Sequence, residues 1–286
     1  MNQNGRLSAE EYIEQAYFFK TCLERLEDNM ALQDVFSSIH EELLATTRLP
    51  VAIQFLFGEM VHNGKIGEGM KQLSHYFTPF QSFIVQQAEE ERSRFDLRTA
   101  FLLLQRQAEY LSKTPCASGL FVYQFESLSR NRLGFDQGMV AIGNEPFYPP
   151  EWQQWILKIR FSLGTVDFAD LIYSRSELYV RQLKSQAEGE DVEIDFPVLF
   201  GEQEGRIAKA NHGRDPLYLF AALQRHLGHP EVPKPKVQRL EDLFSPAVEM
   251  RFQQLEAKLQ LLEAEMKGQL DLSDFYVDPK NVPKME

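Results

Sequence analysis

Apolar residues spaced three and four positions apart recur along most of this chain, and that period belongs to helices rather than strands. Leu7, Ser8, Glu11 and Tyr12 predict the first helix start. A serine followed three residues later by a glutamate forms a capping box, and the flanking apolar pair forms a hydrophobic staple. Ile13, Ala16, Tyr17, Phe19, Cys22, Leu23 and Leu26 then trace one broad apolar stripe. Leu32, Val35, Phe36, Ile39, Leu43 and Leu44 trace a second, expected to pack antiparallel to the first. Pro50 opens a segment from Val51 to Val61 that is apolar almost all round, as a central buried helix would be, closed by His62-Asn63-Gly64. Thr78-Pro79 predicts a helix reaching about Arg94, and further helices follow over 99–111, 116–132, the Trp152 to Ile159 segment and 166–186.

The period changes between residues 188 and 213. Val192, Ile194 and Phe196 alternate with Glu193 and Asp195, and Gly201 to Gly205 separates Val198-Leu199-Phe200 from Arg206-Ile207-Ala208. This pattern predicts a small β-hairpin near residues 192–209, lying on the helical body because an isolated hairpin is barely stable. Residues 188–204 also carry seven carboxylates and no basic residue, as a solvated loop, a cation site or a basic partner's docking surface would. Asp215-Pro216 caps one more helix. Pro230, Pro233 and Pro235 then predict a semi-rigid linker.

Beyond that linker, Val248, Phe252, Leu255, Leu259, Leu262 and Met266 alternate spacings of four and three, a heptad seam that starts after Ser245-Pro246. Arg251 and Lys258 fall at g and Glu256 and Glu263 at the following e, which pairs opposite charges across a parallel two-stranded coil. An antiparallel pair would instead bring Glu249, Glu256 and Glu263 together. Met250 and Leu261 are apolar outside the seam, so the alternative is a helix that folds back and buries a wider stripe on its own body. The expected fold is therefore all-α, a helical bundle or helical-repeat-like array with a small hairpin and a C-terminal coiled-coil helix. Its expected parts are a helical body over 7–228, a proline linker over 229–239, the amphipathic helix over 240–268 and a disordered polar tail over 269–286.

Forty-two acidic against 30 basic residues leave a net charge of -12, which disfavours nucleic acid and anionic membrane as partners. Cys22 and Cys116 lie far apart in no metal spacing, so a reducing cytoplasm fits. No apolar run approaches the roughly 20 residues that span a bilayer.

Chemistry-bearing patterns are sparse. Phe83-Ile84-Val85-Gln86 leading to Arg92 and Arg94 resembles Phe121-Val122-Tyr123-Gln124 leading to Arg130 and Arg132, 38 residues on. That offset suits a two-helix repeat unit, although no third copy occurs. Equivalent placement of the two Arg-x-Arg pairs would let their guanidinium groups fork around a phosphate or carboxylate. Asp96, Asp136 and Glu126 are the competing structural partners. Glu59 and His62 share a helix face, as in carboxylate-bridged metal bundles, with His75 and Glu89-Glu90-Glu91 as further ligands. Asp167, Asp170, Ser174 and Glu177 form an acidic stripe, and His212-Gly213-Arg214-Asp215 precedes a helix N-terminus. No nucleophile elbow, phosphate loop or dinucleotide fingerprint appears.

The expected function is a dimeric scaffold or regulatory protein without catalysis of its own. It would pair with itself in parallel and offer an aromatic-rich groove to another protein, with no cofactor and with Arg92, Arg94, Arg130 and Arg132 as contacts. The alternative is a metal-dependent enzyme holding a divalent ion through Glu59, His62 and His75.

Overall fold

In the computed structural model, residues 6–39, 41–90, 95–186, 193–234 and Leu259 are described. The chain divides into one unit over Met1–Pro235 and a second over Lys236–Glu286. In the second, Leu259 is helical and 59% exposed. The rest of the heptad seam and the polar tail lie outside the described residues.

The first unit is a helical bundle, with thirteen helices and no strand among the described residues. Its first half runs α1 (Ala9–Glu27), α2 (Leu32–Ile39), α3 (Leu49–Asn63), α4 (Gly67–Gln72), α5 (Pro79–Ala88) and α6 (Leu97–Leu111). Then come α7 (Ala117–Asn131), α8 (Phe135–Gly143), α9 (Pro150–Ile159) and α10 (Phe168–Tyr173). The last three are α11 (Glu177–Gln186), α12 (Glu202–Ala210) and α13 (Pro216–Leu227). No helix among the described residues is long and apolar enough to cross a membrane.

The expected starts at Ser8, Thr78 and Asp215 form, and Asp96 and Asp167 cap two more helices. Each accepts a hydrogen bond from a backbone N–H in the first turn that follows. Gly64 and Gly228 end α3 and α13 with positive φ, which glycine adopts without steric cost.

One contiguous apolar core fills the bundle. In one part of it, α1 packs along α6 and stacks Phe19 on Phe101, while Phe18 meets Phe36 of α2 edge-on. In another, Phe121 and Phe125 of α7 meet Trp152 and Trp155 of α9, Phe168 of α10 and Phe200. Phe220 of α13 closes this aromatic group against Phe125 and Phe168.

Four expectations need correction. Residues 202–210 form α12 instead of the second arm of a hairpin, and of the first arm only an isolated bridge between Phe200 and Ser176 remains. The reason is side-chain pairing across one helical turn, Glu202 with Arg206, together with Gly205, whose missing side chain lets α12 approach α11 closely. The expected single helix over 166–186 breaks into α10 and α11, because the amides of Leu199 and Phe200 bond the Arg175 carbonyl at 2.9 and 3.1 Å and hold the chain in a turn there. Helix α3 is half-solvated, with Val51 71% exposed beside Phe55 and Val61, while Leu49, Ile53, Leu56 and Met60 face inward. Residues 229–234 lie on the body rather than leaving it: Val232 is buried, Arg106 donates to the Glu231 carbonyl and Asn131 to the Pro233 carbonyl.

The 38-residue similarity has a structural counterpart. Helices α5 and α7 start at Pro79 and Ala117, and α6 and α8 at Leu97 and Phe135, so both pairs keep the offset. Their surroundings differ, since α5 packs on α4, α6 and α8 whereas α7 packs on α8 and α13.

Two glycines test the packing in opposite directions. A methyl group at Gly205 would meet Cβ of Ser176 at 2.7 Å and Cβ of Leu178 at 2.9 Å, so Gly205→Ala is expected to destabilise by about 1–3 kcal/mol. Gly58, inside α3, has open space around it, and Gly58→Ala is expected to stabilise by about 0.5–1 kcal/mol. Urea unfolding of both variants checks the pair.

Candidate functional site

A cleft of about 600 Å³ lies where α5 and α8 diverge. From α5 it takes Pro79, Ser82, Phe83 and Gln86, and from α8 Gln137, Val140, Ala141 and Asn144. Each set repeats at i, i+3, i+4 and i+7, so each wall is one complete helix face. Phe77 and the small residues Ser82 and Ala141 are buried, while Lys71, Gln137 and Asn144 stand exposed around them. Asp136, at the α8 start, pairs with Arg160 at 3.3 Å. The result is an apolar trough with an amide-rich rim.

Interior carboxylates hold these walls. Glu145, two residues beyond α8, is 1% exposed, and its Oε1 accepts the Phe80 N–H of α5 at 2.9 Å. Among the described residues it makes no ion pair. Burial pushes its carboxyl up to about 7, opposed by the Thr78 and Phe80 hydrogen bonds. The magnitudes explain the direction: a helix N-terminus returns roughly 2 kcal/mol at most, whereas removing a carboxylate from water costs roughly several.

The same region carries a chain of buried amides. Gln81 pairs its backbone with Thr78 in a capping box and donates its side-chain amide to Gln15 of α1 at 2.9 Å. Tyr148 donates to Gln124 at 2.6 Å, and Gln124 in turn reaches Gln107 of α6 at 3.5 Å. Across the bundle, Glu11 does not return to Ser8 as a capping box requires. It accepts from the Arg48 N–H at 3.0 Å and from the Tyr76 hydroxyl at 2.7 Å. Burial, reinforced by Glu11, raises the Tyr76 phenol.

The residues expected to carry chemistry are dispersed. Arg130 pairs with the buried Glu126, whose carboxyl burial raises and Arg130 lowers. Arg132 is exposed at the left-handed end of α7, and Arg92 and Arg94 lie outside the described residues. Glu59 accepts from Asn63 at 2.9 Å, while His62 and His75 face solvent. Glu89 caps α4 by accepting from Ile66 and Gly67. Among the described residues no group of three or more His, Cys, Asp or Glu side chains could hold a metal ion, so Glu59, His62 and His75 do not form the site that the enzyme alternative requires. Of the acidic stripe, Asp167 accepts from the Gly213 amide at 2.8 Å and Asp170 meets His212 at 2.8 Å, which ties the loop before α13 to α10.

The cleft residues Ser82, Gln137 and Asn144 gave no signal in the sequence, because a cleft formed by two helices leaves no motif. Glu145 gave a weak one, a lone carboxylate beside Pro146-Phe147-Tyr148. No family model matches the chain, and neither a curated protein nor a solved structure matches it.

Two outcomes follow from this geometry. Cys116 is exposed and Cys22 fully buried, so a thiol reagent should modify one cysteine in the native protein and two after unfolding. Tyr76→Phe removes a donor from the buried Glu11 carboxylate and should cost about 1–3 kcal/mol in urea unfolding.

Proposed function

We propose that the protein is a non-catalytic, homodimeric helical scaffold that receives a short amphipathic helix of a partner protein in the cleft between α5 and α8. The observation that carries this reading is the cleft itself, two helix faces set apart with an apolar floor and a polar rim of amides with Lys71 and Asp136. A third helix continues ridge-into-groove packing on such walls. A strand would need a sheet edge, and none occurs among the described residues. Each wall spans seven residue steps, about 10 Å at 1.5 Å per residue, so the occupant is two to three turns long with two or three apolar anchors.

Dimerisation is assigned to the heptad residues Val248, Phe252, Leu255, Leu259, Leu262 and Met266, in parallel register because that pairs Arg251 and Lys258 with Glu256 and Glu263. Two cysteines in no disulfide suit a reducing, cytoplasmic setting.

Native mass spectrometry is expected to give twice 33.2 kDa for the wild type and 33.2 kDa for Leu255→Glu with its helical content intact. A wild-type monomer would overturn the dimer. For the cleft, helical peptides selected from a displayed amphipathic library should bind tenfold or more weakly to Val140→Glu and equally well to Val51→Glu on the exposed face of α3. Binders indifferent to Val140→Glu would overturn the docking site.

A further inference from the structure

We infer that Glu145 is a pH-sensitive latch between the two walls of the cleft: protonated, it holds the first turn of α5 against the end of α8, and ionised, it loosens that junction. Its consequence for a docked helix rests on the cleft reading above, but the latch itself is a property of this chain alone.

The geometry places one carboxyl at the meeting point of three elements. The Glu145 amide donates to the Ile142 carbonyl at 3.1 Å, continuing the last turn of α8. Its carbonyl accepts from Gln153 of α9 at 3.2 Å. Its side chain crosses to α5 and accepts the Phe80 N–H. Asn144, its neighbour in sequence, and Pro79, the neighbour of Phe80, both line the cleft, so a change at Glu145 moves both walls.

An ionised carboxylate offers about four acceptor positions. Glu145 has the Phe80 amide and the Thr78 hydroxyl to fill them. The groups that face it titrate elsewhere. From α1 comes Tyr12, whose phenol burial pushes up to about 12 with Glu145 adding to the rise. From the segment before α9 comes Tyr148, raised chiefly by its own burial. Helix α5 contributes no charged side chain to the contact, and α9 contributes the neutral Gln153. Arg6 acts on Tyr12 but makes no ion pair with Glu145. The charge that forms on Glu145 therefore stays uncompensated until water reaches it.

The sign follows from linkage. The folded carboxyl titrates near 7, above its ordinary value of 4.5, so its stabilisation is complete below pH 4.5 and is lost as pH rises through 7. Opening that lets the group ionise should thus become easier by up to about tenfold per pH unit between these values, then level off.

Hydrogen exchange of the full-length protein, without any partner, tests this. After correction for intrinsic exchange rates, opening at Phe80 and Gln81 in the wild type should rise up to about tenfold per unit from pH 5 to 7 and plateau above. In Glu145→Gln, which mimics the protonated form, it should stay flat. Equal pH dependence in both proteins, or none in the wild type, would overturn the latch. Should Glu145→Gln not fold, the carbon-13 carboxyl titration of Glu145 in the wild type decides, a midpoint near 4.5 counting against it. Neither readout involves a ligand, so a latch that fails and a docking site that fails remain distinguishable.

Discussion

Carboxylates of one segment cap the backbone of another throughout this bundle. Each helix leaves its first N–H groups without intrahelical partners, and a fold of many short helices multiplies the problem. Here Glu14 accepts from the Leu44 amide at 3.0 Å, Glu11 from Arg48, Glu89 from Ile66 and Gly67, Glu145 from Phe80, and Asp167 from Gly213. Where the carboxylate is ionised, it makes a shorter, stronger bond to such a group than a neutral acceptor does. Because donor and acceptor come from different elements, each bond also fixes where the elements sit. The apolar core supplies the drive to collapse, and these bonds choose among the ways the short helices could slide.

That arrangement explains the shape of α1. Its buried face includes Glu11, Glu14 and Gln15 beside Phe18, Phe19 and Cys22, while Ile13 and Tyr17 remain exposed. An apolar stripe read from the sequence alone is rotated from the face that packs. The polar residues turn inward because the start of α3, the turn before it and Gln81 present amides there, and a paired polar group in the interior costs little. Glu145 is the extreme member of the set. Its pairing is incomplete, so the bond that joins the cleft walls is also the one that pH can weaken.

What was legible in the sequence follows from the range of each interaction. Thr78-Pro79 and Asp215-Pro216 announce helix starts because cap and first turn are neighbours in the chain. The 38-residue offset reads through to the helix starts for the same reason. The hairpin expectation failed at residues 202–210, where alternation is weak and Glu202 with Arg206 already favours a helical turn. For Arg130 the sequence left an anion contact and a structural pair with Glu126 both open, and Glu126, one turn earlier, lies buried beside it.

Local order, then, belongs to the sequence: helical period, cap residues and the glycines that end α3 and α13 all arise from residues within a turn or two of one another. The tertiary structure alone decided that Glu11 serves Arg48 and Tyr76 instead of Ser8, that residues 229–234 lie along α6 and α7, and that α5 and α8 part to leave a cleft with Glu145 at its hinge. Each of those outcomes depends on the distance between residues far apart in the chain, and that distance is set only when the apolar faces have packed.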